Sequence, residues 1–151
     1  MISVILPIYN EEQGLRKFIS TLDQELAALN SEFEVIMIND GSKDHSLTIL
    51  KEICSKNSNY KYINLSRNFG HQIAVTAGID YAVGEKVVLM DSDGQDPPSV
   101  IKDMLQKMEE DYDVVYAKRA RRENESFLKK FTAKQFYKLL NRITSIEIPV
   151  D

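Results

Sequence analysis

The sequence is poor in the residue types that build several common functional sites. Its single cysteine, Cys54, excludes an internal disulfide and fits a reducing compartment. The two histidines, His45 and His71, lack the spacing of zinc ligands, and no Ser-His-Asp or Cys-His arrangement supports nucleophilic catalysis. No Gly-rich phosphate loop stands near the N-terminus, which disfavours a nucleotidyltransferase.

Long apolar runs are also absent. No run reaches the roughly 20 residues that a helix needs to cross a bilayer, and the opening MISVILPIYNEE lacks the basic leader of a signal peptide. An apolar fraction of 43% and a charged fraction of 28% are ordinary for a globular protein. A chain of 151 residues therefore predicts one domain with its own core.

Charge is unevenly distributed along the chain. The net charge is −4, yet the segment from Lys118 to Arg142 contains nine Lys or Arg residues and two acids. Such a segment favours an anionic partner, and its aromatic residues would suit an anionic membrane surface. Core packing beneath solvated lysines explains the same pattern, so both interpretations stay open.

Strand and helix patterns alternate. Strands are predicted at residues 3–6 (ending at Pro7), 33–38, 60–65, 85–90 and 113–117, and helices at 15–29, 44–53, 71–82, 98–108 and 127–143. This alternation predicts an α/β fold with an open, mainly parallel sheet and helices on both faces. Ligands of such sheets bind outside the carboxyl ends of the strands.

Two carboxylates follow the fourth predicted strand, in the run VVLMDSDGQDPP. Asp91 and Asp93 are two residues apart, so in an extended segment both point the same way and can converge on one ion. Gln95 adds a neutral oxygen. Hard oxygen ligands suit Mg²⁺ or Mn²⁺, which in turn suit a substrate's phosphates. A helix cap followed by a turn would explain the same residues without a metal.

Polar residues also follow the first and second predicted strands. Asp40 could accept a hydrogen bond from a base or ribose, although an ordinary Asp-Gly turn explains it equally well. Pro7, Tyr9, Asn10 and Glu11 stand at the neighbouring strand end. We expect these groups to line one pocket, where the aromatic ring can stack on a base.

Two further groups are candidates for binding phosphate. Gly70 and His71 stand where a helix begins, and exposed N–H groups there favour anions, although a histidine in this position is more often structural. Lys118 and Arg119 follow the fifth predicted strand, and arginine can grip a phosphate in a fork.

Four motifs in this order, SVILPIYNEE, EVIMINDGSKD, LSRNFGHQIAVTAGID and VVLMDSDGQDPP, resemble the family 2 glycosyltransferases of the GT-A fold. The resemblance covers essentially the whole chain and is nearest to the polyprenyl-phosphate sugar transferases, which include dolichyl-phosphate mannosyltransferases and bactoprenol glucosyltransferases. It implies a metal-dependent, inverting enzyme at the cytoplasmic side of the cell membrane. Such an enzyme moves a hexose from a nucleotide-sugar, with a UDP-sugar favoured, to polyprenyl (undecaprenyl) phosphate.

The resemblance also implies roles by position. Contacts to the nucleotide-sugar are expected from Pro7, Tyr9, Asn10, Glu11, Asp40, Asp91 and Arg119, and Mg²⁺ or Mn²⁺ is expected on Asp91, Asp93 and Gln95. The family's second acidic motif follows the segment that matches SIEIPVD, so catalytic residues are expected beyond Asp151. Residues 1–151 are therefore expected to be the nucleotide-sugar-binding part of a GT-A domain truncated at its C-terminus, without the acceptor half and any membrane helices.

Two alternatives stay open. A family 2 glycosyltransferase that acts on a polysaccharide or another hydroxyl acceptor would carry similar motifs. A nucleotide-binding or receiver-like α/β module without enzymatic activity would also place acids at strand ends. Receiver modules, however, want adjacent acids after the first strand, where this chain has Asn10 and Glu11.

Overall fold

Strands and helices alternate in the computed structural model, which describes residues 1–117. In chain order the elements are β1 (Ile2–Ile8), α1 (Leu15–Ala27), β2 (Phe33–Asn39), α2 (Ser46–Lys56), β3 (Tyr60–Asn64), α3 (His71–Tyr81), β4 (Lys86–Leu89) and α4 (Val100–Met108). The strands pair in parallel in the order β3-β2-β1-β4. The predicted α/β fold with a parallel sheet is confirmed, and these elements lie close to their expected bounds.

The two central strands are buried on both faces of the sheet. Val4 and Leu6 of β1 belong to the larger apolar cluster, with residues of α1, α2 and α4. Ile5 belongs to a smaller cluster on the other face, with Ala74 of α3. Because successive side chains of a strand point to opposite faces, a strand covered on both sides is almost continuously apolar.

Helix α3 packs closely on its face of the sheet through Gly78. A Cβ atom at this position would lie 2.8 Å from Cδ1 of Ile38 and would overlap Cγ2 of Ile5. A glycine in mid-helix costs about 1 kcal/mol relative to alanine. The close approach of helix and sheet explains why a glycine stands there.

The expectation that the first strand ends at Pro7 is wrong, because β1 continues to Ile8. Its pairing with β4 stops at Ile5, whose carbonyl accepts the Met90 N–H. Pro7 lies on the same side of β1 as Ile5, two residues beyond the end of the pairing with β4. Its missing N–H therefore removes no hydrogen bond between these two strands. Its carbonyl accepts the Ser92 hydroxyl at 3.2 Å instead.

The expected fifth strand is also wrong. Among residues 1–117 the sheet has four strands, and residues 113–117 are not part of it. Val114 and Tyr116 are exposed, so their apolar pattern does not reflect burial. A strand requires a hydrogen-bonded neighbour as well as a suitable sequence. The basic helix expected at 127–143, with Lys118 and Arg119, lies outside the described residues.

No helix within residues 1–117 combines the length and hydrophobicity needed to span a bilayer.

Candidate functional site

A cavity of about 310 Å³ opens at the carboxyl ends of β1, β2 and β4. Because parallel strands bring their carboxyl ends to one edge of a sheet, the loops that follow them meet there. The loop between β3 and α3 closes another side. The lining residues are Pro7, Ile8, Tyr9, Glu11, Asp40, Asn68, Gly70, His71, Ala74, Asp91, Ser92 and Asp93.

The cavity brings together most of the residues expected to bind nucleotide-sugar or metal. The expected residues that line it are Pro7, Tyr9, Glu11, Asp40, Asp91 and Asp93. Asn10 and Gln95 are not part of the lining, and Arg119 lies outside the described residues. The roles of all these residues as ligands remain predictions. The six that line the cavity do lie around one pocket, as expected.

The segment after β4 directs two carboxylates to the cavity by burying the residue between them. Ser92 is 3% exposed, and its hydroxyl donates to the Pro7 carbonyl at 3.2 Å. Asp91 and Asp93, on either side of it, are exposed and line the cavity. The sequence alone did not reveal this anchoring role of Ser92. The signal for it was the position of Ser92 between Asp91 and Asp93, because alternate residues of an extended segment point to opposite sides.

The carboxylates suit a hard divalent ion by their chemistry. Asp91 Oδ1 lies 3.8 Å from His71 Nδ1, and Asp93 Oδ1 accepts the Gln95 N–H at 2.8 Å. Within residues 1–117 no three His, Cys, Asp or Glu side chains form a metal-binding group. Mg²⁺ commonly binds one or two carboxylates and takes its remaining ligands from water and substrate phosphates. Asp91 and Asp93 fit that mode of binding.

Glu11 lines the same cavity as three other acids, Asp40, Asp91 and Asp93. Partial burial raises the pKa of Glu11 above its ordinary value of 4.5, and the negative charges of Asp93, Asp44 and Asp91 raise it further. Like charges close together disfavour ionisation. The negative charges around Glu11 therefore repel one another, and a cation in the cavity would relieve that repulsion.

We expect Glu11→Gln to raise the melting temperature at pH 7 by a small amount. The folded protein holds the Glu11 proton more tightly than the unfolded chain does, so stability falls as pH rises through the range just above 4.5. At pH 7 the substitution removes the cost of ionising Glu11 in the folded protein. At pH 4 Glu11 is mostly protonated, so there is little such cost to remove. Differential scanning calorimetry at both pH values measures the difference, with the exposed Glu32→Gln as control. The same shift at both pH values would contradict the explanation.

Asp40 holds the loop between β3 and α3. Its side chain is buried, with Oδ1 accepting the Phe69 N–H at 2.8 Å and Oδ2 accepting the Gly70 N–H at 3.0 Å. This loop carries Asn68 and His71 to the cavity. The sequence left two roles open for Asp40, a turn residue or a ligand contact. The structure shows a third role, which is to hold the β3–α3 loop in place. Each carboxylate oxygen keeps a second lone pair that a ligand can use.

Asn10 joins two loops instead of lining the cavity. Its backbone N–H donates to Ser42 Oγ at 3.0 Å, and its Oδ1 accepts the Lys43 N–H at 2.8 Å. Its φ of 57° lies in the left-handed region, where asparagine is tolerated better than most residues. These contacts support the neighbouring residues, and the contact between Asn10 and a nucleotide stays a prediction.

Comparison with known proteins identifies relatives along the whole chain. The family model described as Glycosyl transferase family 2 matches residues 3–151. The uncharacterized glycosyltransferase YkcC of Bacillus subtilis (strain 168) is 46% identical over 149 residues, which cover 99% of this chain and 46% of that protein. The bactoprenol glucosyl transferase of Shigella phage SfV is 37% identical over 97% of this chain and 48% of its own length. The chain thus spans about half the length of the curated relatives it matches.

Solved structures show the same fold. Residues 1–349 of S. aureus TarS in complex with UDP-GlcNAc match with a TM-score of 0.60 and 27% identity, covering 85% of this chain and 38% of that one. The complex of the same protein with UDP matches with a TM-score of 0.59 and 28% identity, covering 85% of this chain and 39% of that one. A third match is the mannosyltransferase PcManGT of Pyrobaculum calidifontis in complex with GDP-Man and Mn²⁺. Its TM-score is 0.54 and its identity 20%, over 61% of this chain and 27% of its own, so this match shows the fold alone.

Proposed function

This chain belongs to glycosyl transferase family 2, with the GT-A fold, and we propose that it binds the nucleotide-sugar donor of a polyprenyl-phosphate hexosyltransferase. The donor is a UDP-sugar and the acceptor is polyprenyl (undecaprenyl) phosphate. The observation that carries the proposal is the cavity at the carboxyl edge of the sheet, which gathers Tyr9, Asp40, Asp91 and Asp93.

The donor assignment is supported by the chemistry of the lining. Tyr9 is 42% exposed beside the cavity, where its ring can stack on a base, and Asp40 can accept a hydrogen bond from base or ribose. TarS, whose fold matches at 27–28% identity, was solved with UDP and with UDP-GlcNAc. These observations favour a UDP-sugar.

The metal assignment follows from charge. A diphosphate entering beside Glu11, Asp91 and Asp93 would meet three acidic side chains. Mg²⁺ or Mn²⁺ held by Asp91, Asp93 and Gln95 would neutralise this repulsion and stabilise the charge that develops on the leaving diphosphate. In this arrangement Asp91 and Asp93 orient the donor by fixing where its phosphates lie.

The acceptor assignment rests on relatives. Proteins named bactoprenol glucosyl transferase are 36–37% identical to nearly the whole chain. A phosphate acceptor is already ionised at neutral pH, so the transfer needs no strong general base. We further propose that residues 1–151 are the donor half of the domain and that the whole protein works at the cytoplasmic side of the membrane. Arg119 would contact a phosphate of donor or acceptor.

We expect UDP to bind in a metal-dependent manner. Isothermal titration calorimetry with UDP and Mn²⁺ should give a Kd at least about tenfold lower than the same titration with EDTA, because the ion bridges like charges. Equal affinity in EDTA would contradict the roles of Asp91 and Asp93. No binding in either condition would contradict the donor assignment.

The acceptor is tested in the full-length protein. Radiolabelled hexose should move from UDP-sugar to undecaprenyl phosphate in detergent. Transfer to a sugar hydroxyl in place of the lipid phosphate would instead support a hydroxyl-specific enzyme of the same family. Binding of UDP without transfer to any acceptor would support a nucleotide-binding module.

A further inference from the structure

The loop after β1 and the loop after β2 are joined by a set of hydrogen bonds that we call the cross-loop bridge. Residues 10–12 and residues 42–46 each supply donors and acceptors to it. The bonds run from Asn10 N to Ser42 Oγ (3.0 Å), Lys43 N to Asn10 Oδ1 (2.8 Å), Glu11 N to Ser46 Oγ (2.9 Å), Glu12 N to Asp44 Oδ2 (3.0 Å) and His45 N to Glu12 Oε2 (2.8 Å).

The bridge satisfies three consecutive backbone N–H groups that neither β1 nor α1 can pair. The N–H groups of Asn10, Glu11 and Glu12 each donate to a side chain of the second loop. A backbone donor without a partner costs about as much as a lost hydrogen bond when it is shielded from water. The conformation of this loop therefore depends on side chains more than 30 residues away.

Asp44 and Ser46 are the anchors of the bridge. Ser46 is fully buried at the start of α2, and its N–H donates to Asp44 Oδ1 at 3.0 Å while Asp44 Oδ2 accepts the Glu12 N–H. Burial acts to raise the pKa of Asp44, but hydrogen bonds from Ser46 and Glu12 outweigh it and hold this pKa below 3.8. Asp44 is thus an ionised acceptor, and hydrogen bonds to charged groups are stronger than neutral ones.

The bridge acts against the electrostatics of the cavity. Glu11 lines the cavity with Asp91 and Asp93, whose charges repel it. A mobile loop would relieve this repulsion by turning Glu11 toward solvent. The bond from Glu11 N to Ser46 Oγ fixes the backbone of the residue whose side chain is repelled.

We propose that Asp44 and Ser46 are positioning residues of the donor site, which hold Tyr9 and Glu11 against the cavity through the cross-loop bridge. The inference rests on the proposed function, because it concerns the same cavity. Neither residue lines that cavity, so neither need touch the donor. Preorganising a repelled acid in this way leaves less of the binding energy to be spent on ordering the loop.

Ser46→Ala tests the proposal with little change in volume. We expect the Kd for UDP in the presence of Mn²⁺ to rise about fivefold to tenfold, the equivalent of one hydrogen bond of about 1 kcal/mol. The matched control is Tyr60→Phe, which removes the 2.8 Å bond from Tyr60 Oη to Asp23 Oδ1 at the opposite edge of the sheet. The control should lower the melting temperature but keep the Kd of the unaltered protein.

Hydrogen exchange provides a second measurement. Exchange at residues 10–12 should accelerate in Ser46→Ala and stay unchanged in Tyr60→Phe. If Ser46→Ala does not fold, Ser42→Ala, which removes the acceptor of the Asn10 N–H without changing the charge, replaces it with the same expectations. An unchanged Kd in a variant with faster exchange would overturn the positioning role while leaving the donor assignment intact. Failure of the unaltered protein to bind UDP would overturn the proposed function itself.

Discussion

Gly41→Ala is expected to lower the free energy of unfolding by about 3 kcal/mol, through overpacking and backbone strain together. Gly41 has a φ of 66°, in the left-handed region that disfavours residues with a Cβ atom. A Cβ there would lie 2.7 Å from Cα of Arg67 and would overlap the Arg67 carbonyl carbon and the Asn68 nitrogen. These are backbone atoms, and the two bonds to Asp40 from Phe69 and Gly70 resist their displacement.

Gly94→Ala is the matched control. Gly94 has a similar φ of 76°, but a Cβ atom there would have no neighbour within 4 Å. We therefore expect a loss of only about 1 kcal/mol, which is the cost of the backbone conformation alone. Urea unfolding followed by circular dichroism measures both variants. Equal losses would show that φ, and not the contact with the neighbouring loop, explains the need for glycine at position 41.

Gly41 also illustrates how far the sequence predicts the site. Asp40 and Gly41 predict a turn after a buried strand, and in the structure the chain bends at Gly41. The close approach of Arg67 is not visible in the local sequence, because it depends on how a loop 26 residues further on is folded. Local residue types indicate a turn, whereas the packing that makes a glycine necessary is a tertiary property.

The fold was largely predictable because its signal is repeated. The apolar residues of β2 and the three-and-four spacing in α1 each reflect burial directly. The grouping of Tyr9, Asp40 and Asp91 was predictable too, because parallel strands bring their carboxyl ends to one edge. Residues 113–117 show the limit of such prediction, since their apolar pattern has no partner strand among residues 1–117.

Individual roles were harder to predict because one residue type serves several purposes. Asp40 was expected to be either a turn residue or a ligand, yet both of its oxygens accept backbone N–H groups from the β3–α3 loop. Asn10 stands in the right loop, but its amide oxygen accepts the Lys43 N–H. Such partners come from distant parts of the chain, and sequence spacing carries no information about them.

Asp91→Asn and Asp93→Asn are each expected to weaken UDP binding in Mn²⁺ about tenfold to a hundredfold. This is the range by which metal affinity falls when a residue that supports a metal site is replaced. Both residues are exposed, so neither substitution should unfold the protein. Each also removes a negative charge that raises the pKa of Glu11, so the melting temperature should not fall. Calorimetric titration of UDP with each variant, in Mn²⁺ and in EDTA, measures the effect, with the exposed Asp103→Asn on α4 as control.

The affinity for UDP should respond differently to the substitutions in Mn²⁺ and in EDTA. In EDTA the unaltered cavity repels the diphosphate through Glu11, Asp91 and Asp93, so removing one charge should leave the weak binding of UDP unchanged or slightly strengthened. In Mn²⁺ the same substitution removes an ion ligand and weakens binding. A carboxylate that contacts the nucleotide directly would instead weaken binding equally in both conditions, because its contribution would not depend on the ion. A loss of affinity that appears in Mn²⁺ and not in EDTA therefore separates a metal ligand from a direct donor contact at each position.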